Sequence, residues 1–256
     1  MKAYKDLCSR VLNLGIPNSS RAGDTIYRFG ETLELNLKDG FPLLTMRKID
    51  YTQAFGELAA FIRGETTKEA FSNLGCHYWN TTGGEVNELG PIYGYQWRNW
   101  GADQLLGLID NLQTNPDSRR HILAAWNIED LDKMVLPPCH ILAQFDVSPA
   151  KKLSCIVYMR SVDIMLGLPY DIAVYALLTH LLADVCEYTA GELKFFFGNA
   201  HIYQNHIAQA DELMLRRPYS LPYLVLDCPN ILEFHPMEAQ LDGYVCQPPM
   251  KFELNL

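Results

Sequence analysis

Apolar residues recur at the helical interval in two early stretches. "MKAYKDLCSRVLNLG" reads as an amphipathic helix interrupted by charge, and "DYTQAFGELAAFIRG" has the same periodicity with Gly64 placed to end it. Helices are therefore expected over 1–15 and 50–64. "TIYRFGETLELNL" alternates like a strand with a bend at Gly30. "DQLLGLIDNLQTNP" reads as an amphipathic helix stopped by Pro116, and "HILAAWNI", "HILAQFDVS" and "KLSCIVYMRS" read as strands. "YDIAVYALLTHLLADVCEY" is apolar nearly all round, which predicts a helix buried in the core. "ELKFFFGNAHIYQ" follows as a strand and "NHIAQADELMLRR" as a helix ending at Pro218. Helices and strands do not strictly alternate, and no repeat, low-complexity tract or linker-like shift interrupts them. The expectation is a single α+β domain over 1–256, with a large mixed sheet packed by helices.

Composition narrows the partners. A hydrophobic share of 48% with 20% charged residues suits a globular protein that buries a sizeable core. The formal charge of −9 argues against a protein that coats nucleic acid, while local basic clusters leave an anionic small molecule open. The seven cysteines are odd in number and include no CxxC pair, a pattern of reduced thiols. The N-terminal stretch has no h-region, and "IAVYALLTHLLADVC", broken by His180 and Asp184, looks too short and too polar to span a bilayer. A cytoplasmic protein, without nucleic acid or membrane as partner, is expected.

Four features could carry chemistry. In "RSVDIMLGLPYDIAVYALL" the carboxylate of Asp171 stands where a Leu-Gly-Leu-Pro turn meets the apolar helix; it could cap that helix or read a ligand. In "LPPCHILAQF" two prolines stiffen the backbone before Cys139. That thiol is either a small core residue or a nucleophile whose pKa nearby arginines lower. Arg21, Arg119, Arg120 and Arg160 are surface charges or, taken together, a cradle for a phosphate dianion. His201 and Tyr203 in "GNAHIYQNH" face the same side of a strand, as core residues or as donors to a sugar hydroxyl. Zinc-dependent deamination of cytosine would need a PCxxC pair, and Leu142 stands where the second cysteine belongs.

The segments "DGFPLLTMRK", "GPIYGYQWRNW", "NPDSRRHILAAWN", "LDKMVLPPCH", "MRSVDIMLGLPYDIAVYALL" and "GNAHIYQNH" closely resemble, in order and spacing, the motifs of the thymidylate synthase family. That resemblance covers essentially the whole chain. It implies that Cys139 adds to ring carbon 6 of a pyrimidine nucleotide. Arg21, Arg160 and Ser161 would bind the 5′-phosphate, joined by Arg119 and Arg120 from a second subunit across a sheet-face dimer interface. It also implies that His201 and Tyr203 hold the deoxyribose, that His140 lies on the substrate side, and that Glu57 organises a water and proton network. Tyr93 would assist proton removal from ring carbon 5. Trp79, Asp163, Leu166, Gly167 and Tyr170 would serve the co-substrate 5,10-methylenetetrahydrofolate, and no metal is implied.

The chain departs from the family where the choice of base is made. The family's "GLPFN" reads "GLPYD" here, so Asp171 replaces an asparagine that pairs with uracil. Cytosine presents the reverse polarity, accepting at ring nitrogen 3 and donating from its 4-amino group; a neutral Asp171 matches it. Sites built on such pairs can discriminate by roughly 10⁴-fold. Met159 for glutamine in "YMRS" resembles the deoxycytidylate hydroxymethylase branch. On the folate side, Thr82 and Ala60 stand where tryptophans are usual, and the tail reads "QPPMKFELNL". A looser folate wall admits water to the exocyclic methylene, which would end the reaction as hydroxymethyl. The expected activity is one-carbon transfer to dCMP by a homodimer. Methylation of dCMP, or ordinary dUMP methylation with Asp171 tolerated, are the alternatives.

Overall fold

The computed structural model describes residues 1–20 and 22–255. Two of the expected helices appear as α1 (Lys2–Leu14), which buries Tyr4, Leu7, Cys8 and Val11, and α2 (Tyr51–Arg63). Gly64 ends α2 at φ 75°, the left-handed conformation that a residue without Cβ adopts freely, and its N–H bonds to the Ala60 and Phe61 carbonyls.

Eight strands are described: β1 (Ile16–Ser20), β2 (Gly23–Asn36), β3 (Ile122–Ala124), β4 (His140–Val147), β5 (Lys152–Asp163), β6 (Thr189–Tyr203), β7 (Tyr223–Leu226) and β8 (Ala239–Asp242). The first six form one sheet in the order β1-β2-β6-β5-β4-β3, and β7 pairs with β8. Only β5 and β6 run parallel, joined by the crossover helix α6 (Leu168–Val185). One face of the sheet packs on α6 and α1; α2 covers α6 in turn. This is the α+β, mixed-sheet architecture that the periodicities predict.

Helix α6 carries the centre of the core, with Leu177, Leu178 and Leu182 fully buried. Contrary to expectation, it is long and apolar enough to cross a bilayer, at 18 residues and mean hydropathy 1.2; 72% of it is buried inside the protein, as in a core helix. The shorter helices are α3 (Lys68–Asn73), α4 (Tyr93–Asn99), α5 (Gln104–Thr114) and α7 (Ile207–Leu215).

Three local features aim residues at one place. A register shift between His140 and Leu142 bulges the start of β4, re-aiming the chain at Cys139. Gly94 lets α4 lie on α2: a Cβ there would stand 2.3 Å from the Phe61 carbonyl oxygen. Gly198 lets β6 pass Arg160, whose carbonyl oxygen a Cβ would meet at 2.8 Å.

Candidate active site

Cys139 stands at the end of the proline turn, half-buried, where β4 begins. Arg160 on neighbouring β5 holds the turn: Nε donates to the Pro138 carbonyl (2.8 Å) and Nη2 to that of Pro137 (2.9 Å), while Nη2 lies 3.9 Å from Sγ. The guanidinium also lies over the Trp126 ring, 5.7 Å from its centroid. The Cys139 N–H donates to the Tyr93 hydroxyl at 2.8 Å, which brings α4 onto the thiol. The expected lowering of the thiol pKa is not found. Burial pushes it up, Arg160 opposes, and the nearby acids Asp171 and Glu57 add to the rise. The resting thiol is protonated, so attack has to be coupled to proton removal.

The acids come from two helices. Glu57 on α2 is 6% exposed and accepts from the Trp79 indole N–H at 2.7 Å. Burial raises its pKa to about 7, against the Trp79 donor. Asp171 lies in the first turn of α6, but Gly167 is the N-cap and no side chain caps that helix. The capping reading is thereby excluded. Burial, then Glu57 and Asp163, push the Asp171 pKa well above the carboxylate range.

His140 Nε2 lies 3.9 Å from Asp171 Oδ1, and its Nδ1 lies 2.7 Å from the Tyr175 hydroxyl. Burial lowers the imidazole pKa to about 3, so it is neutral. The Tyr93 ring stacks on it at 4.1 Å, and burial holds that phenol well above its usual range.

Of the remaining expected residues, Ser161 sits beside Arg160 on β5, opposite Asn199 of β6. His201 and Tyr203 share one face of β6 with ring centroids 5.2 Å apart, and His201 Nδ1 lies 3.0 Å from Asn199 Oδ1. Arg119 and Arg120 are exposed on the segment before β3 and do not join this cluster. Arg21 lies outside the described residues. Asp163 Oδ1 accepts from the Met165 and Leu166 N–H groups (2.8 and 3.1 Å), fixing the turn into α6.

Beside the cluster opens a cavity of about 710 Å³, lined by Leu166 and Tyr170 with Arg47, Lys48, Gln209 and the tail from Pro249 to Glu253. Its size suits a drug-sized heterocycle. Two of its lining residues, Arg47 and Gln209, each carry a buried side-chain atom (Nε and Oε1) without a partner among the described residues. A folate would be held there by the side chains of Arg47, Gln209, Leu166 and Tyr170. Trp79 is packed against Phe71 and Tyr93 behind Glu57 instead of lining this cavity, and Gly167 is not among its walls. Tyr175 and Trp126 do not stand out in the sequence. The one available signal was the spacing of Tyr175, one turn beyond Asp171 on the same face of α6.

A thiol fixed by a guanidinium, beside a stacked phenol and imidazole, a buried acid and a second, mostly enclosed one, is the equipment of covalent catalysis with internal proton transfer. The thymidylate synthase family model matches residues 2–256, and the chain belongs to that family. Its activity is therefore folate-dependent one-carbon transfer to a pyrimidine nucleotide, with methylenetetrahydrofolate as co-substrate.

Proposed function

We propose that the chain transfers a one-carbon unit to carbon 5 of dCMP and releases 5-hydroxymethyl-dCMP, working as a homodimer. The observation that carries this reading is the mostly enclosed Asp171 carboxyl, its Oδ1 3.9 Å from the neutral His140 and its pKa held well above the carboxylate range by burial, where relatives keep an asparagine. Such an acid gives its hydrogen to ring nitrogen 3 of cytosine and accepts from the 4-amino group.

Cys139 Sγ bonds to ring carbon 6 while its proton leaves toward the Tyr93 hydroxyl and, through water, Glu57. Asp171 protonates ring nitrogen 3, so the charge pushed into the ring is neutralised as carbon 5 becomes nucleophilic. Bound methylenetetrahydrofolate supplies the carbon at the formaldehyde level. Tyr93, kept protonated by burial, relays the carbon 5 proton to Glu57, whose pKa near 7 suits a group that both takes and gives protons. Loss of that proton would expel tetrahydrofolate and leave an exocyclic methylene; water then adds to it as the 5,6 double bond re-forms, the carbon–sulfur bond breaks and ring nitrogen 3 returns its proton to Asp171. Arg160 and Ser161 hold the phosphate, and His201 with Tyr203 the sugar.

Water capture is supported by the polar walls of the adjoining cavity, which include Lys48, Asp50, Asn205 and Glu253. Ala60 bears on this less than the sequence suggested, because it is fully buried and opens no wall. The dimer is supported by the sheet face turned away from α6. Ile156, Tyr158 and Phe196 are about two-fifths exposed there, with Leu142, Tyr158 and Phe196 in register across three strands. An apolar face of this kind is covered by a partner. A second copy would bring its exposed Arg119 and Arg120 to the phosphate.

Mass spectrometry of the product from dCMP and methylenetetrahydrofolate tests the reading. A gain of CH₂O is expected. A gain of CH₂ would assign methylation, and turnover of dUMP alone would remove the cytosine assignment.

A further inference from the structure

A neutral carboxylic acid carries one donor and one acceptor, and either oxygen can hold the hydrogen. One arrangement matches cytosine and the other matches uracil. Asp171 left to itself would therefore accept both rings, and some neighbour has to pin the hydrogen.

We propose that Tyr175, acting through His140, is the positioning residue that keeps the Asp171 hydrogen on Oδ2 and so makes the site prefer an amino-pyrimidine. The proposal rests on the reading of Asp171 as the group that meets the base. Tyr175 is 1% exposed, and among the described residues the only hydrogen-bond partner of its hydroxyl is His140 Nδ1 at 2.7 Å. If Nδ1 carried a hydrogen, the phenolic hydrogen would be buried without an acceptor, so the phenol donates and Nδ1 accepts.

The neutral imidazole then carries its hydrogen on Nε2, which faces Asp171 Oδ1 at 3.9 Å. A side-chain shift of about 1 Å would bring the pair to hydrogen-bond distance, with Nε2 as the donor. A hydrogen on Oδ1 would meet this donor head-on. On Oδ2 it would not, because Oδ2 turns toward Gly167, where even a Cβ would stand 3.6 Å away.

Orientation decides which base this favours. Tyr93 stacks on His140, and in the proposed reaction it serves ring carbon 5, which is bonded to carbon 4. The His140 side of the carboxyl, Oδ1, therefore meets position 4, and Oδ2 meets ring nitrogen 3. The two lone pairs of Oδ1 accept from His140 Nε2 and from the 4-amino group, while Oδ2 donates to nitrogen 3. Uracil would set its 4-oxygen against Oδ1 and its N–H against the Oδ2 hydrogen.

Tyr175→Phe removes only the hydroxyl. Measuring kcat/KM for dCMP and dUMP, we expect the dCMP preference to fall by roughly tenfold or more, with dUMP turnover rising. A tyrosine needed only for packing would lower both rates together and leave the ratio unchanged, which would overturn the proposal. Asp171→Asn assayed alongside separates the two ideas. If it leaves the ratio unmoved, the reading of Asp171 itself fails; if it moves the ratio and Tyr175→Phe does not, only the pinning fails. Long-range ¹⁵N NMR of His140 in the unsubstituted protein decides independently of how the variant folds. A hydrogen on Nε2 supports the proposal and one on Nδ1 overturns it.

Discussion

Replacing Trp79 with phenylalanine should move the pH dependence of the reaction in one direction. The indole N–H donates to Glu57 Oε1 at 2.7 Å inside the protein. Burial already carries this carboxyl from 4.5 to about 7, a bias of about 3 kcal/mol against its ionised form. A hydrogen bond to a charged group is worth about 1.5–3 kcal/mol, and 1.36 kcal/mol is one pH unit, so losing the indole donor moves Glu57 to about 8–9. If proton transfer needs ionised Glu57, the acid limb of kcat/KM lies near pH 7 in the parent and about 1–2 pH units higher in the variant. At pH 7.5 the ionised fraction falls from about three-quarters to roughly a tenth, and activity recovers on raising the pH. Stability shifts in the matching sense. A group whose folded pKa is raised contributes fully below its unfolded value near 4.5 and loses that contribution as pH rises through about 7, or about 8–9 in the variant. The assay is a pH–rate profile of both proteins. An acid limb that stays in place, or activity that does not return at high pH, would refute the assignment of that limb to Glu57.

Asp171→Asn should reverse the nucleotide preference, with a swing on the order of 10²- to 10⁴-fold in the ratio of kcat/KM for dCMP and dUMP. Gly94→Ala forces a methyl to 2.3 Å from the Phe61 carbonyl, so α4 and α2 must part. A stability loss of about 1–3 kcal/mol by denaturant titration is expected, together with lower kcat as Tyr93 leaves the Cys139 amide. His121 is fully buried, and among the described residues neither ring nitrogen has a hydrogen-bond partner. His121→Leu should therefore stabilise the fold by about 1–2 kcal/mol, read as a raised unfolding midpoint.

Much of this architecture is legible in the chain because it is local. The spacing of Tyr4, Leu7, Cys8 and Val11 gives α1, the alternation through 25–37 gives β2, and the unbroken apolar run gives the buried α6. Where the reading fell short, a distant segment decides. "HILAAWNI" promises a strand over 121–128, yet β3 stops at Ala124, because the Asn127 side chain turns away to Gln96 and Asp130. α4 carries Tyr93 and Trp97 inward and gains its place from Gly94 lying on α2, a close approach no periodicity announces. The protonation states depart furthest from what composition suggests. Asp171 looks like an ionised helix cap and Cys139 like a thiol eased toward thiolate by arginines, and burial reverses both.

That reversal has one cause acting on several groups. Glu57 from α2, Asp171 from α6 and Cys139 from the start of β4 meet in a space closed by Trp79, Tyr93 and Tyr175, with Arg160 as the cation beside the thiol. One guanidinium cannot stabilise three ionised groups out of water, so the cluster holds protons on Asp171 and on its sulfur, and Glu57 titrates near 7. A site in that state is poised to give a proton to ring nitrogen 3 as sulfur attacks. In this packing the exchange of an amide for a carboxyl at 171 supplies a hydrogen-bond donor, where at an exposed position it would supply a charge.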